Sequence, residues 1–187
     1  SKKDGRKILG LKEEEQVILF FGFIRKYKGL KYLIEAMKEI KMRLPLCKLL
    51  VVGDFDGDKE EYLRQIESLE VEEAISIYDG YIPDNEVEKF FAACDLVVLP
   101  YESATQSGIV QISYGFEKPC VVTNVGGLPE VVLDGKTGYV IEPKSPSLIS
   151  EAVCDYFTNT KELIFKEQIK NEAYKFSWER MVESIEK

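Results

Sequence analysis

The amino-acid sequence predicts an α/β fold, a doubly wound parallel sheet flanked by helices, and three observations carry that expectation. Short apolar runs recur along the chain, several of them closing at a glycine. Between them lie segments whose apolar residues repeat at steps of three and four. The connections are a few residues long, so strand and helix alternate in the manner of right-handed parallel crossovers.

"QVILFFGF" is the first run and ends at Gly22, as fits a strand buried on both faces. A helix is expected next, because Leu30, Leu33, Ile34, Met37 and Ile40 share one helical face while Lys31, Glu35 and Lys38 face water. "CKLLVVGD" repeats the strand pattern and stops at Gly53, and Tyr62, Leu63, Ile66 and Leu69 form a second helical stripe. "AISIYDG" reads as the third strand, and "DNEVEKFFAAC" as a helix opened by Asp84 as N-cap. "DLVVLP" gives a fourth strand, a helix follows around Gly108 to Phe116, and "PCVVT" is the fifth strand. After the turn "DGKTG", "GYVIEP" is the sixth, and the chain from about Pro146 is predicted helical.

The 187 residues suffice for one domain with a proper core. A net charge of −8 argues against a long nucleic-acid groove while permitting a local basic pocket. Cys47, Cys94, Cys120 and Cys154 are widely spaced, with no Cys-x-x-Cys and no histidine to complete a zinc set, so they read as reduced core thiols. No stretch approaches the ~18 apolar residues of a membrane span, and the opening "SKKDGRKILGLKEEEQ" lacks the apolar centre of a signal peptide. A cytoplasmic protein is expected.

In a doubly wound sheet, ligands sit beyond the carboxyl ends of the strands, where backbone N–H groups at helix starts can meet an anion. After the first strand, Arg25 and Lys28 lie beside Gly22 and a helix start, and would either pair with phosphate oxygens or form a solvated basic turn. "GDFDGDKEEY" fails the calcium-loop template: its glycine is misplaced and Gln65 stands where the bidentate glutamate belongs. Gly80 and Pro83 frame a turn carrying Tyr81 and Ile82, whose main chain could meet a flat heterocycle or could simply join strand to helix. After the fourth strand, Ser103, Thr105, Gln106, Ser107 and Gly108 precede a helix; small residues allow close approach and their hydroxyls suit sugar or phosphate oxygens, the alternative being a capping loop. Gly126 and Gly127 free the backbone after the fifth strand, and Glu130 either accepts from a polyol or sits at a helix start. No Walker loop and no Gly-x-Gly-x-x-Gly occurs, and without histidine a Ser-His-Asp or Cys-His apparatus is excluded within this chain.

Together, "FFGFIRKYKGLKYLIEA", "LLVVGD", "YIPDNEVEKFFAACDLVVLPY", "KPCVVTNVGGLPEVVLDGKTGYVIEP" and "FSWERM" resemble the C-terminal, Rossmann-like domain of group 1 (family 4) glycosyltransferases of GT-B fold, over nearly the whole chain. The resemblance implies a domain that holds a nucleoside-diphosphate sugar, with a separate N-terminal domain for a glycan or glycolipid acceptor and for any association with a membrane surface. It implies a retaining hexosyl transfer in which Lys28 and Arg25 neutralise the donor diphosphate; with two cations and a helix start in that role, and no convincing metal cluster in the sequence, no metal and no cofactor are expected. Tyr81 and Ile82 would meet the base, and the Ser107-Gly108 helix start the phosphates and sugar. Gly22, Thr105, Gln106, Gly126, Gly127 and Glu130 would complete the donor site. Family members often carry arginine directly after the first-loop glycine, where this chain has Phe23.

A second departure concerns the family's Glu-x7-Glu signature. Counting back from Lys118-Pro119 places Ala104 and Ile112 at the two glutamates, and a shift by one gives Thr105 and Ser113. Both carboxylates are missing, with Glu102 and Gln111 near enough to be considered as substitutes. The loss leaves a second reading open, a non-catalytic nucleotide-binding or scaffold module. The closing segment from Phe176 to Ile185, with Trp178, resembles the family's segment that packs back toward the partner domain, or else belongs to the core.

Overall fold

The computed structural model describes residues 1–175, and the closing segment with Trp178 lies outside the described residues. The elements run α1 (Lys2–Ile8), β1 (Gln16–Phe21), α2 (Leu30–Arg43), β2 (Cys47–Gly53), α3 (Lys59–Ser68), β3 (Ile75–Asp79), α4 (Asp84–Ala93), β4 (Leu96–Leu99), α5 (Gly108–Gly115), β5 (Cys120–Thr123), α6 (Leu128–Val131), β6 (Gly138–Ile141), α7 (Pro146–Thr158) and α8 (Glu162–Lys175). The sheet is parallel throughout, in the order β3-β2-β1-β4-β5-β6. It winds one way from β1 to β3 and the other from β4 to β6. The strand order therefore reverses between β1 and β4, and the loops after these two strands diverge there to open a crevice.

The four central strands, β2, β1, β4 and β5, are almost wholly apolar because both their faces are covered, whereas the edge strand β3 carries Ser76 and Asp79. On one side Ile18, Phe20, Leu49, Val51, Val98 and Val121 pack with Leu33 and Met37 of α2 and Val153 and Tyr156 of α7. On the other, Leu19, Phe21, Leu50, Val52, Leu99 and Val122 pack with Phe90 and Phe91 of α4 and Val110 of α5. Each such fully buried side chain contributes about 1.5–3 kcal/mol relative to exposure. All four cysteines are buried and unpaired, as expected of core thiols.

Three local details differ from the sequence reading. Asp84 is the first residue of α4 and not its cap: Pro83, extended at φ −60 and ψ 146, precedes the helix, so the Asp84 carboxylate acts on the helix dipole from within the first turn. Leu63 is 37% exposed, because α3 buries only its Tyr62 and Ile66 edge. The helical region after Pro146 is broken between α7 and α8, where Thr160 takes φ 50.

The charged opening segment folds as α1 and lies against α4, where a Cβ on Gly5 would come 2.8 Å from the Lys89 carbonyl. Its Arg6 is 3% exposed. Arg6 Nη2 donates to Asp95 Oδ2 at 2.8 Å and Nε to the Ala93 carbonyl at 3.1 Å, while the same Oδ2 accepts from the Val17 amide at 2.8 Å. Lys118 Nζ donates to the Cys94 carbonyl at 2.7 Å, and Tyr156 Oη to that of Asp95 at 3.1 Å. These contacts satisfy polar groups at the amino-terminal edge of β1 and β4, the end of the sheet opposite the crevice. Removing one partner of such a buried pair strands the other. Asp95→Ala is therefore expected to lower unfolding free energy by about 3–5 kcal/mol, read from the urea midpoint at unchanged slope; a loss below about 1 kcal/mol would mean that Arg6 finds solvent instead.

Candidate functional site

Past β1 the chain turns at Gly22, runs through Phe23 to Arg25, and makes a 3-10 turn at Lys26–Lys28 before α2. Past β4 it runs through Tyr101 to Ser107 and enters α5 at Gly108. The two loops face each other across the reversal point and wall a cleft of about 670 Å³ lined by Tyr27, Lys28, Tyr101, residues 103–109 and Ile112. A second pocket of about 250 Å³ adjoins it over the ends of β1, β2 and β3. Lys28 and Ile109 line both.

The second loop is held from several sides. A Cβ on Gly29 would overlap the Pro100 carbonyl at 1.9 Å, so α2 starts as close to that loop as backbone permits. Thr123 Oγ1 donates to the Tyr101 carbonyl at 2.6 Å, the Glu102 amide to that of Tyr27 at 2.6 Å, and the Gly127 amide to that of Thr105 at 2.8 Å. Gly126 takes φ +52 with the Ala104 carbonyl 1.7 Å from where a Cβ would stand, so both its conformation and its space require glycine. Glu102 accepts from Tyr32 Oη at 3.1 Å and pairs with Lys31 at 3.3 Å and Lys144 at 3.2 Å. Against the desolvation that burial imposes, these partners hold its carboxyl below the usual carboxylate range.

Lys28 dominates the electrostatics. It is partly buried, and among the described residues no carboxylate pairs with it. Its Nζ lies 5.7 Å from the centroid of the Tyr101 ring. Burial first, and the charge of Arg25 second, hold its pKa below the ordinary value. An ammonium so placed is stabilised by any anion that enters the cleft. Tyr101 is 3% exposed, and burial pushes its phenol up to about 12 against the opposing hydrogen bond of Ser107. It therefore stays protonated and neutral near pH 7. The start of α5 has no side-chain cap, so its first amides can face a ligand.

Of the residues expected from sequence, Lys28, Thr105, Gln106, Ser107, Gly108 and Ile112 meet in the larger cleft, and Gly22, Tyr81 and Ile82 in the adjoining pocket. Gln111 and Gly127 line a third recess of about 140 Å³ behind Gln106 and Ser107. Gly126 lines none of these three and acts as a buttress for Ala104. Glu130 is exposed in α6 and lines none of them. Arg25 also lines none; its Nη1 donates to Asp56 Oδ2 at 2.9 Å, and its charge reaches Lys28 only through space. Glu102 is turned to its lysines, and Ala104 and Ile112 line the cleft where the Glu-x7-Glu pattern expects carboxylates. Tyr27, Tyr101 and Ile109 were not singled out from sequence. Tyr101 could have been, as the first residue after the "LP" that closes β4.

The family model for "Glycosyl transferases group 1" matches residues 1–176. An uncharacterized glycosyltransferase of Methanocaldococcus jannaschii is 30% identical over 181 residues, 94% of this chain and 45% of the relative. The fold is similar to that of Anabaena HepE, solved in complex with UDP-glucose, at a TM-score of 0.83 and 22% identity, covering 92% of this chain and 47% of that one. It is also similar to the C-terminal domain of the group 1 family protein LpcC from Francisella tularensis, at a TM-score of 0.82 and 22% identity, covering 95% of this chain and 94% of that one. The chain thus spans about half the length of the curated relatives it matches.

A base whose folded-state pKa is lowered opposes folding at pH below that value, and the penalty fades as pH rises toward the ordinary 10.5. Lys28→Met is accordingly expected to raise the thermal midpoint of the ligand-free protein at pH 7, with the gain shrinking toward pH 10. A lower midpoint at pH 7 would make Lys28 a structural residue.

Proposed function

The chain belongs to the group 1 glycosyl transferases, and on that premise we propose that it is the donor-holding half of such an enzyme, binding a nucleoside-diphosphate sugar for transfer of a hexosyl unit to a glycan or glycolipid. The observation that carries this reading is the position of Lys28, a partly buried ammonium without a carboxylate partner among the described residues, in one cleft with the uncapped start of α5. That HepE was solved with UDP-glucose supports the ligand class.

In this account the diphosphate lies between Lys28 and the first turn of α5. Bond cleavage at the anomeric carbon leaves negative charge on the departing phosphate, and the ammonium and helix amides are already aimed where that charge grows. Tyr101 limits water at Lys28 and the hydroxyls of Ser103, Thr105 and Ser107 face the sugar. Arg25 adds a field at longer range while Asp56 holds it. Transfer with retention, independence of metal, and an acceptor carried by a second domain complete the proposal. The isolated half then binds donor without turning it over.

One observation favours a non-catalytic module: Ala104 and Ile112 line the cleft without a carboxylate, and Glu102 is committed to Lys31 and Lys144. Titration with UDP, GDP and ADP separates donor binding from a scaffold that holds no nucleotide. Saturable binding is expected for one of them, weakened about 10- to 100-fold by Lys28→Ala, the loss of one charge-assisted contact of about 1.5–3 kcal/mol. Silence from all three would favour the scaffold. Because a bound diphosphate favours the charged lysine, binding is also expected to take up protons at alkaline pH and to weaken as pH rises through the lowered pKa of Lys28. Calorimetry in buffers of different ionisation enthalpy measures this, and pH-independent affinity up to pH 10 would contradict it.

A further inference from the structure

Phe23 is the residue of the first loop that the donor reading leaves without a role. It is 58% exposed, directly after Gly22, on the wall of the pocket over β1, β2 and β3. Tyr81, 75% exposed, stands on the same pocket. Neither ring packs against another aromatic ring among the described residues, although Phe21, Tyr78, Phe90 and Phe91 nearby all do. Two unpartnered rings at one rim are less readily dismissed than one scattered exposed apolar residue.

The pocket between them suits a flat group. Gly22, Gly53 and Gly80, the glycines that end three adjacent strands, all line it, so main chain without side chains is exposed to it there. At Gly53 no side chain is possible, since a Cβ would meet the Gly22 carbonyl at 2.0 Å. Phe21, Ile82 and Ile109 add apolar lining, and Asp54 adds a carboxylate. Lys28 lines both this pocket and the larger cleft. A ligand with its diphosphate at Lys28 extends one way toward the hydroxyls of residues 103–107 and the other way into this pocket.

We infer that Phe23 is a stacking residue for the nucleotide base, its ring lying on one face of the heterocycle, with Tyr81 bounding the same pocket. The inference rests on the donor reading above. It gives the first loop a division of labour in which Lys28 takes the phosphate charge and Phe23 takes the base by its π-face. Stacking tolerates every base because each offers a π-face, so Phe23 supplies affinity without fixing the base's identity.

The test titrates wild type, Phe23→Ala and Phe23→Trp with UDP, GDP, ADP and inorganic diphosphate. Phe23→Ala should weaken whichever nucleotides bind by about 5- to 100-fold and leave inorganic diphosphate unchanged; Phe23→Trp should restore the nucleotide affinity. If Phe23→Ala binds nucleotide as wild type does, the stacking role is wrong while the donor site stands. If it loses nucleotide and inorganic diphosphate alike, Phe23 shapes the loop and does not read the base. Silence of wild type toward every nucleotide overturns the donor reading and this inference with it.

Discussion

The structure is organised around a lysine ammonium drawn part-way out of water with no carboxylate beside it among the described residues. Such a group is disfavoured in the free protein, as the depressed pKa of Lys28 shows. It persists because the covalent path leaves little choice: Gly22 and Gly29 bracket the loop, and the start of α2 is pressed against Pro100. Its neighbours among the described residues supply no negative charge, since Tyr101 stays neutral and Glu102 is directed to other lysines. On the proposed function, a bound anion completes the charge of Lys28 from outside, as in other anion-binding clefts.

Rigidity at the cleft comes from the opposite strategy, close satisfaction of backbone groups. The loop after β4 is fixed by Thr123, Tyr27 and the Gly126-Gly127 turn, so the approach to α5 is set by hydrogen bonds from three other segments. At the far end of the same strands, Arg6, Asp95 and Lys118 satisfy polar groups that the buried strand edges would otherwise strand. Arg6 and Asp95 pair at that end and Lys118 is held by main-chain carbonyls, while Lys28 at the crevice end has no carboxylate partner among the described residues. On the proposed function, the two ends of β1 and β4 divide stability from binding.

Much of this was legible in the sequence because it depends on periodicity and on strand-ending glycines. Buried parallel strands read as unbroken apolar runs, and "QVILFF", "CKLLVVG" and "LVVL" are β1, β2 and β4. The crossover rule then locates the ligand crevice before any side chain is placed, which is why Lys28 and Ser107 could be paired from far apart. What was not legible depends on where long or charged side chains turn. Arg25 and Lys28 look alike in sequence, yet one reaches Asp56 on the outside and the other enters the cleft. Glu102 is near the right place in sequence and is captured by lysines from two other elements. The charged opening segment gave no sign of α1, because its amphipathic content is one buried arginine whose partner, Asp95, lies 89 residues away. Phe23, seen in sequence only as a missing arginine, gains meaning from the strand-ending glycines that line the same pocket.

The most direct test of the central claim is a crystal structure of this chain with UDP. The account places a phosphate oxygen within hydrogen-bonding distance of Lys28 Nζ and of a first-turn amide of α5, both to the same diphosphate. A nucleotide bound elsewhere, or one whose phosphates face solvent while Lys28 keeps its present surroundings, would contradict it.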